Sequence, residues 1–287
     1  MTFSKSVYFD LKFYVIICFE TTLIYDILHL GENMDKYIIF VDVDGTLLKP
    51  RTNNMPKVVA DEFERIKKDG HIVVIVTGRA LADIYRMSRA KSASYAAALM
   101  GGVVADCKTG EIIKEPTVLP SDDVKRFVDE IEKAGLNWTY KSDYEEKTYC
   151  DKYLIGKFFC REIDKKEYLE DLKNNKVCQL LVDKKIPQDI IDKFDMFDFF
   201  YMPTDYYDVI KKGFSKAEIV KYFADLHPDY KTVAIGDSNN DIAMLKQADI
   251  SIAMGNAKDD LKKMCDYVTE DYEHFGVDCD IKYILKI

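Results

Sequence analysis

One stretch of the sequence decides the fold: Tyr37-Ile38-Ile39-Phe40-Val41-Asp42-Val43-Asp44-Gly45-Thr46-Leu47. Its first half is apolar and rich in β-branched and aromatic residues, which is typical of a strand buried on both faces of a parallel sheet. Asp42 and Asp44 follow at the carboxyl end of this strand, where parallel sheets place their chemistry. An extended chain would put both carboxylates on one side, because they are two residues apart. Gly45 then allows a sharp turn.

The two neighbouring carboxylates repel each other unless a cation or a shared proton lies between them. The simpler alternative is a strand followed by an Asp-Gly turn, with both acids in solvent. The pattern Asp-x-Asp-Gly-Thr directly after a buried strand is rare by chance, so it favours a functional site over a simple turn.

A second predicted strand, residues 72–76, ends in Thr77-Gly78-Arg79 and is followed by a helix. A hydroxyl group and the free N–H groups at a helix start together form a seat for a phosphate group. The alternative is a threonine that only caps the helix in a tight turn. The alternation of strands and helices up to this point implies a right-handed parallel crossover.

Lys216 follows a short predicted strand at 206–210 and lies in the first turn of a helix, for which Ser215 and Glu218 predict a capping box. A lysine at a helix start is unfavourable for the helix dipole, so we expect it to have another use. The alternative is a solvated lysine in a basic segment.

A second acid cluster follows the predicted strand at 231–235. Asp237 and Asp241 are four residues apart, so a helix starting here would place them on one side. A helix N-terminus decorated with acids is the alternative, but it does not explain why this cluster also falls at a strand end. The groups expected to converge are Asp42, Asp44, Asp237, Asp241 and Lys216. Oxygen ligands of this kind suit Mg²⁺.

On these motifs, the chain resembles the haloacid dehalogenase (HAD) superfamily of phosphohydrolases, and its C-terminal part resembles the Cof-type branch. The resemblance runs from Met34 to the C-terminus and is strongest at residues 38–47, 73–79 and 232–257. It implies that Asp42 attacks phosphorus and that Asp44 serves as general acid and then as general base. The phosphate-binding residues that it implies are Thr77, Gly78, Lys216 and Asn240. The Mg²⁺ ligands that it implies are the Asp42 carboxylate, the Asp44 backbone carbonyl and Asp237, with Asp241 orienting Lys216 or a metal-bound water.

The order of elements predicts an α/β fold with a Rossmann-like parallel-sheet core, the HAD fold of the resembling family, and an inserted α+β cap domain. From about Thr117 the sequence becomes dense in charged and aromatic residues, which indicates the insertion. The predicted ranges are 34–116 and 204–287 for the core and 117–203 for the cap. In the resembling family such a cap closes over the active site and selects the substrate. The aromatic residues that could line its substrate face, unless they pack in its core, are Trp138, Tyr140, Tyr144, Tyr149 and Tyr153.

The first 33 residues do not match the rest of the chain. An apolar run at 11–19 is too short to span a bilayer. We interpret residues 1–33 as an N-terminal extension outside the fold, with Met34 as the true start. A membrane anchor is the alternative.

Composition limits the expected partners. The chain has 287 residues and a formal net charge of −9, and this acidic balance argues against a nucleic-acid binder. The 7 cysteines are irregularly spaced and favour neither a zinc site nor a disulfide framework, so reduced thiols and a cytoplasmic location are expected. We expect a small phosphorylated substrate, no membrane partner, and a monomer or weak homodimer.

The sequence thus predicts a Mg²⁺-dependent phosphatase that acts on phosphate monoesters of small metabolites through an aspartyl-phosphate, with sugar phosphates as the default class for the resembling family. Two alternatives stay open. A phosphomutase would use the same nucleophile but return the phosphoryl group to a sugar phosphate. A sugar-phosphate-binding regulatory protein is expected to lack a motif residue, whereas here all four motifs are present.

Overall fold

The computed structural model of the chain describes residues 35–50, 52–148, 160–202 and 206–285, which form two β-sheets and the helices that pack on them. The strands, in chain order, are β1 (Lys36–Val41), β2 (Ile72–Val76), β3 (Tyr95–Ala98), β4 (Val103–Asp106), β5 (Ile112–Lys114), β6 (Trp138–Lys141), β7 (Glu146–Thr148), β8 (Arg161–Glu162), β9 (Gln179–Asp183), β10 (Phe197–Met202), β11 (Tyr206–Lys211), β12 (Tyr230–Gly236), β13 (Ile250–Ala253) and β14 (Tyr267–Val268). The helices are α1 (Lys57–Lys68), α2 (Leu81–Arg86), α3 (Ser121–Lys133), α4 (Lys165–Lys173), α5 (Gln188–Ile191), α6 (Ala217–Leu226), α7 (Ile242–Gln247), α8 (Asp259–Lys262) and α9 (Gly276–Leu285). Short 3₁₀ turns lie at Ala90–Ser92, Leu99–Gly101, Asn239–Asp241 and Tyr272–His274.

The larger sheet has the strand order β14-β13-β12-β1-β2-β3-β4-β5 and is parallel except at β4 and β5. Phe40 of β1 lies opposite Ala234 of β12 on one side and Val74 of β2 on the other. The strands that follow β1 in the chain, β2 and β3, lie on one side of it in the sheet. The later strands β12, β13 and β14 lie on its other side. The strand order therefore reverses at β1, and open α/β sheets bind their ligands at the carboxyl end of such a switch point.

Helices cover both faces of the larger sheet, so alternate residues of its strands pack in two different apolar clusters. Ile39 packs in a cluster with Phe63 of α1 and with residues of α2 and α9. Ile38 and Phe40 pack in another cluster with Phe223 of α6 and with residues of α7. Each such side chain contributes about 1.5–3 kcal/mol when it is fully buried. The predicted α/β class with a Rossmann-like core is thus confirmed.

The smaller sheet has the order β10-β11-β9-β6-β7-β8 and is antiparallel except where β7 pairs with β8. One of its faces packs against α3, α4 and α5 through an apolar cluster that includes Phe127, Trp138 and Tyr140. The alternate residues Lys141 and Gln179 lie on the opposite face, so that face is polar. Trp138 and Tyr140 are fully buried and pack in this core, as the packing alternative had it. Tyr149 and Tyr153 lie outside the described residues.

The smaller sheet extends further along the chain than the sequence predicted. Residues 204–287 were assigned to the core domain, but β11 pairs with β10 and β9 of the smaller sheet. Its side chains Tyr207 and Val209 are buried in the apolar cluster under α3. A strand pattern does not encode which sheet the strand joins, so the boundary after residue 203 is corrected to the end of β11.

The start of helix α6 differs from the sequence prediction. The predicted capping box at α6 is wrong: Lys216 is the residue before the helix, and Ser215 only accepts a hydrogen bond from the Ala217 amide at 3.3 Å.

The predicted extension at residues 1–33, with Met34 as the true start, lies outside the described residues. Within the described ranges, no helix has the length and apolar character needed to cross a bilayer.

Candidate active site

A buried lysine links two of the predicted acids at the carboxyl ends of β1 and β12. The Lys216 ammonium group donates to the Asp42 carboxylate and, at 2.7 Å, to Oδ1 of Asp241. Lys216 is 0% exposed, so its charge is acceptable only because it is paired. Although burial favours the neutral amine, Asp241 and Asp42 hold the pKa of Lys216 above its usual range. The structure thus brings together three residues that are distant in the sequence.

Asp42 lies directly after β1 and is almost fully buried. Its backbone amide donates to the carbonyl oxygen of Ile235 at 3.1 Å, which fixes it to the end of β12. Burial raises the pKa of Asp42 well above its usual value, and Asp241 and Asp237 add to this rise while Lys216 opposes it. One ammonium group therefore does not balance the acids gathered here, and a second positive charge would stabilise the ionised cluster.

Asp241 is held in place by the turn that follows β12. Its Oδ2 accepts hydrogen bonds from the Asp237 amide at 3.2 Å and from the Ser238 amide at 3.0 Å. A Cβ at Gly236 would lie 2.6 Å from the Cβ of Asp241, so only glycine allows this approach. Both oxygens of Asp241 are thus engaged, one by the turn and one by Lys216, and its role in orienting the lysine stays a prediction.

Three carboxylates lie close enough together to hold a cation. One ligand oxygen from each of Asp42, Asp237 and Asp241 lies within 4.8 Å of the others. The sequence predicted the Asp44 carbonyl rather than Asp241 as the third ligand, and that assignment stays a prediction. Asp241 accepts four hydrogen bonds, one of them from the Lys216 ammonium group, whereas Asp237 accepts two, from Thr46 and Asn256. Asp42 and Asp237 are therefore the better carboxylate ligands. A site with two carboxylates and room for water and substrate oxygens suits Mg²⁺.

Asp237 differs from an ordinary surface aspartate. Burial raises its pKa to about 6, and the charge of Asp241 contributes to this rise. Its Oδ1 accepts a hydrogen bond from the Thr46 hydroxyl at 3.0 Å, which ties the end of β12 to the loop after β1. The side-chain amide of Asn256 donates to the carbonyl oxygen of Gly45 at 2.8 Å, in the same loop. Asn256 was not predicted, although its position directly after Gly255 in the loop after β13 was a usable signal.

Gly45 is required by its neighbours. Its φ is +95°, and a Cβ at this position would lie 2.4 Å from Oδ2 of Asp237. An alanine here would therefore be strained in its backbone and would displace the Asp237 carboxylate. The glycine of the motif thus allows the loop after β1 and the acid after β12 to approach each other.

The Asp44 side chain has a different partner. Arg79 donates a hydrogen bond to each of its carboxylate oxygens, from Nη2 at 2.6 Å and from Nε at 2.8 Å. Arg79 also donates to the side chain of Asn53 at 2.7 Å. The extended backbone that was expected from Asp42 to Asp44 is absent, because backbone turns begin at Val43. Arg79 was not among the predicted site residues. Its place directly after Thr77-Gly78, at the start of a helix beside a predicted acid pair, was the available signal.

The loop after β2 holds the predicted phosphate seat and contacts the smaller sheet. Thr77 is buried, and its hydroxyl accepts a hydrogen bond from the Arg79 amide at 3.2 Å. The carbonyl oxygen of Gly78 accepts a hydrogen bond from Lys141 of β6 at 2.8 Å. Asn240 lies in the turn after β12 and accepts a hydrogen bond from the Ser238 hydroxyl. The phosphate-binding roles of Thr77, Gly78 and Asn240 stay predictions.

The arrangement as a whole is suited to nucleophilic chemistry on an anionic substrate. A buried carboxylate is available as nucleophile, and an ammonium group beside it can neutralise charge that the substrate brings. Two carboxylates can hold a divalent cation next to that nucleophile. A further carboxylate, fixed by an arginine, lies two residues away as a candidate proton carrier.

Comparisons with known proteins agree with this chemistry. A family model described as haloacid dehalogenase-like hydrolase matches residues 39–278. A 5-amino-6-(5-phospho-D-ribitylamino)uracil phosphatase of Bacillus subtilis is 28% identical over 261 residues, which cover 86% of this chain and 94% of the relative. A phosphoglycolate phosphatase of Methanobrevibacter smithii is 31% identical over 252 residues, which cover 83% of this chain and 94% of the relative.

The solved structures show the same similarity. A phosphatase of the HAD superfamily from Bacteroides thetaiotaomicron superposes with a TM-score of 0.75 at 25% identity. The superposition covers 90% of this chain and 98% of the other. The similarity therefore includes both sheets and is not confined to the loops around Asp42.

Proposed function

Because this chain belongs to the haloacid dehalogenase-like hydrolases and is a phosphatase of that family, we propose that it cleaves phosphate monoesters of small metabolites with Mg²⁺ through a covalent intermediate on Asp42. One observation carries the proposal. The buried Asp42 carboxylate contacts the Lys216 ammonium group and shares a carboxylate cluster with Asp237, at the switch point of the larger sheet.

Asp42 is the nucleophile in this proposal. One of its oxygens attacks phosphorus as the bond to the leaving-group oxygen breaks, which gives an aspartyl-phosphate and an alcohol. Water then attacks the same phosphorus, which releases phosphate and regenerates the carboxylate. Lys216, fixed by Asp241, neutralises the charge of the phosphoryl oxygens in both steps.

Asp44 carries the protons. It gives one to the leaving-group oxygen in the first step and takes one from the attacking water in the second. The two hydrogen bonds from Arg79 fix the direction of its carboxylate. Each carboxylate oxygen keeps a second lone pair, so Asp44 can carry the proton towards the substrate oxygen while the bonds from Arg79 limit how far it moves.

The remaining polar groups would bind the phosphoryl oxygens. Thr77 would donate its hydroxyl, Gly78 its backbone amide, and Asn240 its side-chain amide. Asp42, Asp237 and the Asp44 backbone carbonyl would hold Mg²⁺, which supplies positive charge at the phosphoryl oxygens and restricts their orientation.

The substrate is proposed to be a small organic phosphate whose leaving group contacts the smaller-sheet domain, which acts as the cap. The names of two relatives give a phosphorylated ribityl compound and phosphoglycolate as substrates of those proteins. Sugar phosphates and related polyol phosphates therefore come first in a search. The cap contacts the core in the described structure through Lys141, and through the Ala82 amide, which donates to the carbonyl oxygen of Tyr144 at 2.8 Å.

The test is phosphate release from a panel of phosphorylated metabolites, with Mg²⁺ and with a chelator. We expect release that stops with EDTA and returns with excess Mg²⁺, because the ionised acids need the cation to accept a phosphate dianion. Appearance of a sugar bisphosphate without net phosphate release would support the mutase instead. Binding of sugar phosphates without any turnover would support the regulatory protein.

Mg²⁺ binding is expected to weaken below a pH of about 6, because Asp237 must then lose a proton to bind the metal. For a single proton, the apparent affinity falls about tenfold per pH unit below that value. Without metal, the contribution of Asp237 to folding stability depends on pH in the opposite direction. A raised pKa in the folded state means that Asp237 stabilises the fold at low pH, and that this contribution is lost as the pH rises through about 6.

Thermal unfolding across this pH range, with EDTA and with Mg²⁺, measures both effects. The increase in Tm caused by Mg²⁺ should be large at neutral pH and small at a pH of about 5. Asp237→Asn should show little Mg²⁺-dependent increase at either pH, whereas Asp249→Asn, away from the cluster, should respond like the native chain. An equal Mg²⁺ effect at both pH values in the native chain contradicts the prediction.

A further inference from the structure

A cleft lies between the two segments of chain that connect the larger sheet with the smaller one. One segment follows β5 and includes Thr117, and the other follows β11 and includes Phe214, while α6 forms the remaining wall. The cleft has a volume of about 510 Å³, which is within the range of small-molecule sites. None of its lining residues belongs to the proposed active site. It is called the connection cleft below.

The connection cleft is lined by lysines from all three of its walls. Lys114 ends β5, Lys211 ends β11 and Lys221 lies on α6. Within the described ranges none of these three lysines forms an ion pair, although Glu218 and Asp225 of α6 also line the cleft. Ammonium groups that converge without carboxylate partners attract an anion. Such a lining is unexpected from composition, because the chain as a whole has a net charge of −9.

Lys114 has the least solvent of these lysines. It is half-buried, its ammonium group donates to the Thr117 hydroxyl at 3.4 Å, and it lies 6.0 Å from the centroid of the Phe214 ring. Burial lowers the pKa of Lys114, and the charge of Glu218 opposes this change. A half-buried ammonium group that lacks an ion-pair partner among the described residues is stabilised when an anion enters beside it.

Aromatic side chains form the rest of the lining. Phe214 and Tyr222 are half-buried, and the Tyr222 hydroxyl donates to the carbonyl oxygen of Ile113 at 3.0 Å, which fixes its ring against β5. A flat ring of a ligand can stack on such a side chain while its anionic group contacts the lysines. Glu218 and Asp225 can accept hydrogen bonds from hydroxyl or amino groups of the same ligand.

We propose that the connection cleft binds a nucleotide, with its phosphate groups on Lys114, Lys211 and Lys221 and its base against Phe214. An inorganic anion would use the lysines but leave the aromatic wall and the two carboxylates without a partner. A neutral ring would leave the ammonium groups unmatched. The ligand is distinct from the substrate at Asp42, so the inference does not depend on the proposed phosphatase activity.

The walls of the connection cleft are fixed to different sheets. The amide of Gly213, next to Phe214, donates to Asp198 of β10 at 2.7 Å. The amide of Thr117 donates to the carbonyl oxygen of Gly102, directly before β4, at 2.8 Å. A ligand that contacts both connections therefore restrains the movement of one sheet relative to the other. Bound nucleotide should slow amide hydrogen exchange in residues 115–119 and 212–215.

The test is calorimetric titration of the native chain with ADP and with pyrophosphate, both in EDTA so that no metal ion contributes. We expect ADP to bind in the micromolar range and about tenfold more tightly than pyrophosphate, because stacking of the base adds to the charge contacts. Phe214→Leu should abolish this preference and leave the affinity for pyrophosphate unchanged. Lys114→Met should weaken both ligands about tenfold, since each loses a charge-assisted contact.

Lys68→Met is the matched control, because Lys68 is exposed on α1, and α1 and α6 pack on opposite faces of the larger sheet. It should leave both affinities unchanged. Lys221→Glu changes an exposed position and should also weaken both ligands, so the test does not depend on one half-buried lysine. The Tm of each variant without ligand shows that a loss of binding is not a loss of fold.

Several results would overturn the inference. Equal ADP affinity in Lys68→Met and Lys114→Met would place the ligand elsewhere, and pyrophosphate binding as tightly as ADP would remove the nucleotide assignment. Absence of binding at about 1 mM ADP would remove the site. Bound ADP that protects neither connection from hydrogen exchange would contradict the restraint. Because no step needs turnover, the outcome is independent of whether the chain releases phosphate.

Discussion

Replacing Asp42 with Asn is expected to lower the rate of phosphate release by about four orders of magnitude or more, without unfolding the protein. The amide oxygen of Asn is a poor nucleophile towards phosphorus, so the covalent step is lost and not merely slowed. The remaining groups, including Lys216 and Asp237, can still bind a phosphate monoester. The loss should therefore appear in kcat, while binding of the substrate persists.

The fold should tolerate this change because the ionised carboxylate of Asp42 destabilises the folded state at its buried position. Burial and two neighbouring acids raise its pKa well above the usual value, which means that the ionised form is unfavourable there. Asn has the same shape and no charge, and Lys216 keeps its bond to Asp241. The Tm of the variant should therefore equal or exceed that of the native chain in EDTA.

Phosphate release and thermal unfolding on the same preparations measure the two parts of this prediction. Asp61→Asn is the control, because Asp61 is an exposed residue of α1 that pairs with Lys57. The control should keep full activity. Substantial release by Asp42→Asn, in a preparation free of deamidated protein, would remove Asp42 as the nucleophile.

The sequence was sufficient where local pattern and strand ends carry the information. The apolar run before Asp42 and the run at residues 72–76 correspond to β1 and β2 within a residue, because strands buried on both faces are continuous apolar segments. The convergence of Asp42, Lys216, Asp237 and Asp241 was also predictable. Asp42, Asp237 and Asp241 follow strands of one parallel sheet, and such positions meet at one edge. Lys216 instead follows β11 of the smaller sheet, so it was expected here from the motif of the resembling family and not from a strand end.

What was not predictable depends on contacts between distant segments. β11 has an ordinary strand sequence, and only its pairing with β9 and β10 assigns it to the smaller sheet. The partner of Asp44 depends on the backbone turn at Val43 and on the reach of Arg79 from another loop. The burial of Gln179 is visible only when the strands are paired, because glutamine is ordinarily exposed to solvent.

Replacing Lys216 with Met is expected to destabilise the protein and to impair catalysis together. The change leaves the Asp42 and Asp241 carboxylates buried without their cation, and breaking a buried ion pair in this way costs about 3–5 kcal/mol. Loss of the ammonium group should also reduce kcat by about 10²- to 10³-fold, as for other groups that stabilise transition-state charge. Lys212→Met, at an exposed position four residues away, should change neither quantity.

A double variant separates the two effects. Adding Asp241→Asn to Lys216→Met removes one of the two buried carboxylates that have lost their cation, so about half of the lost free energy of unfolding should return in urea titrations. Activity should not return, because the charge of the phosphoryl oxygens would still lack the ammonium group. The single variant should also be least destabilised at low pH, since the raised pKa of Asp42 lets it take up a proton and lose its charge first. Recovery of activity along with stability in the double variant would show that Lys216 only neutralises its two acidic neighbours, and the phosphoryl-transfer role would then have to be assigned to the cation alone.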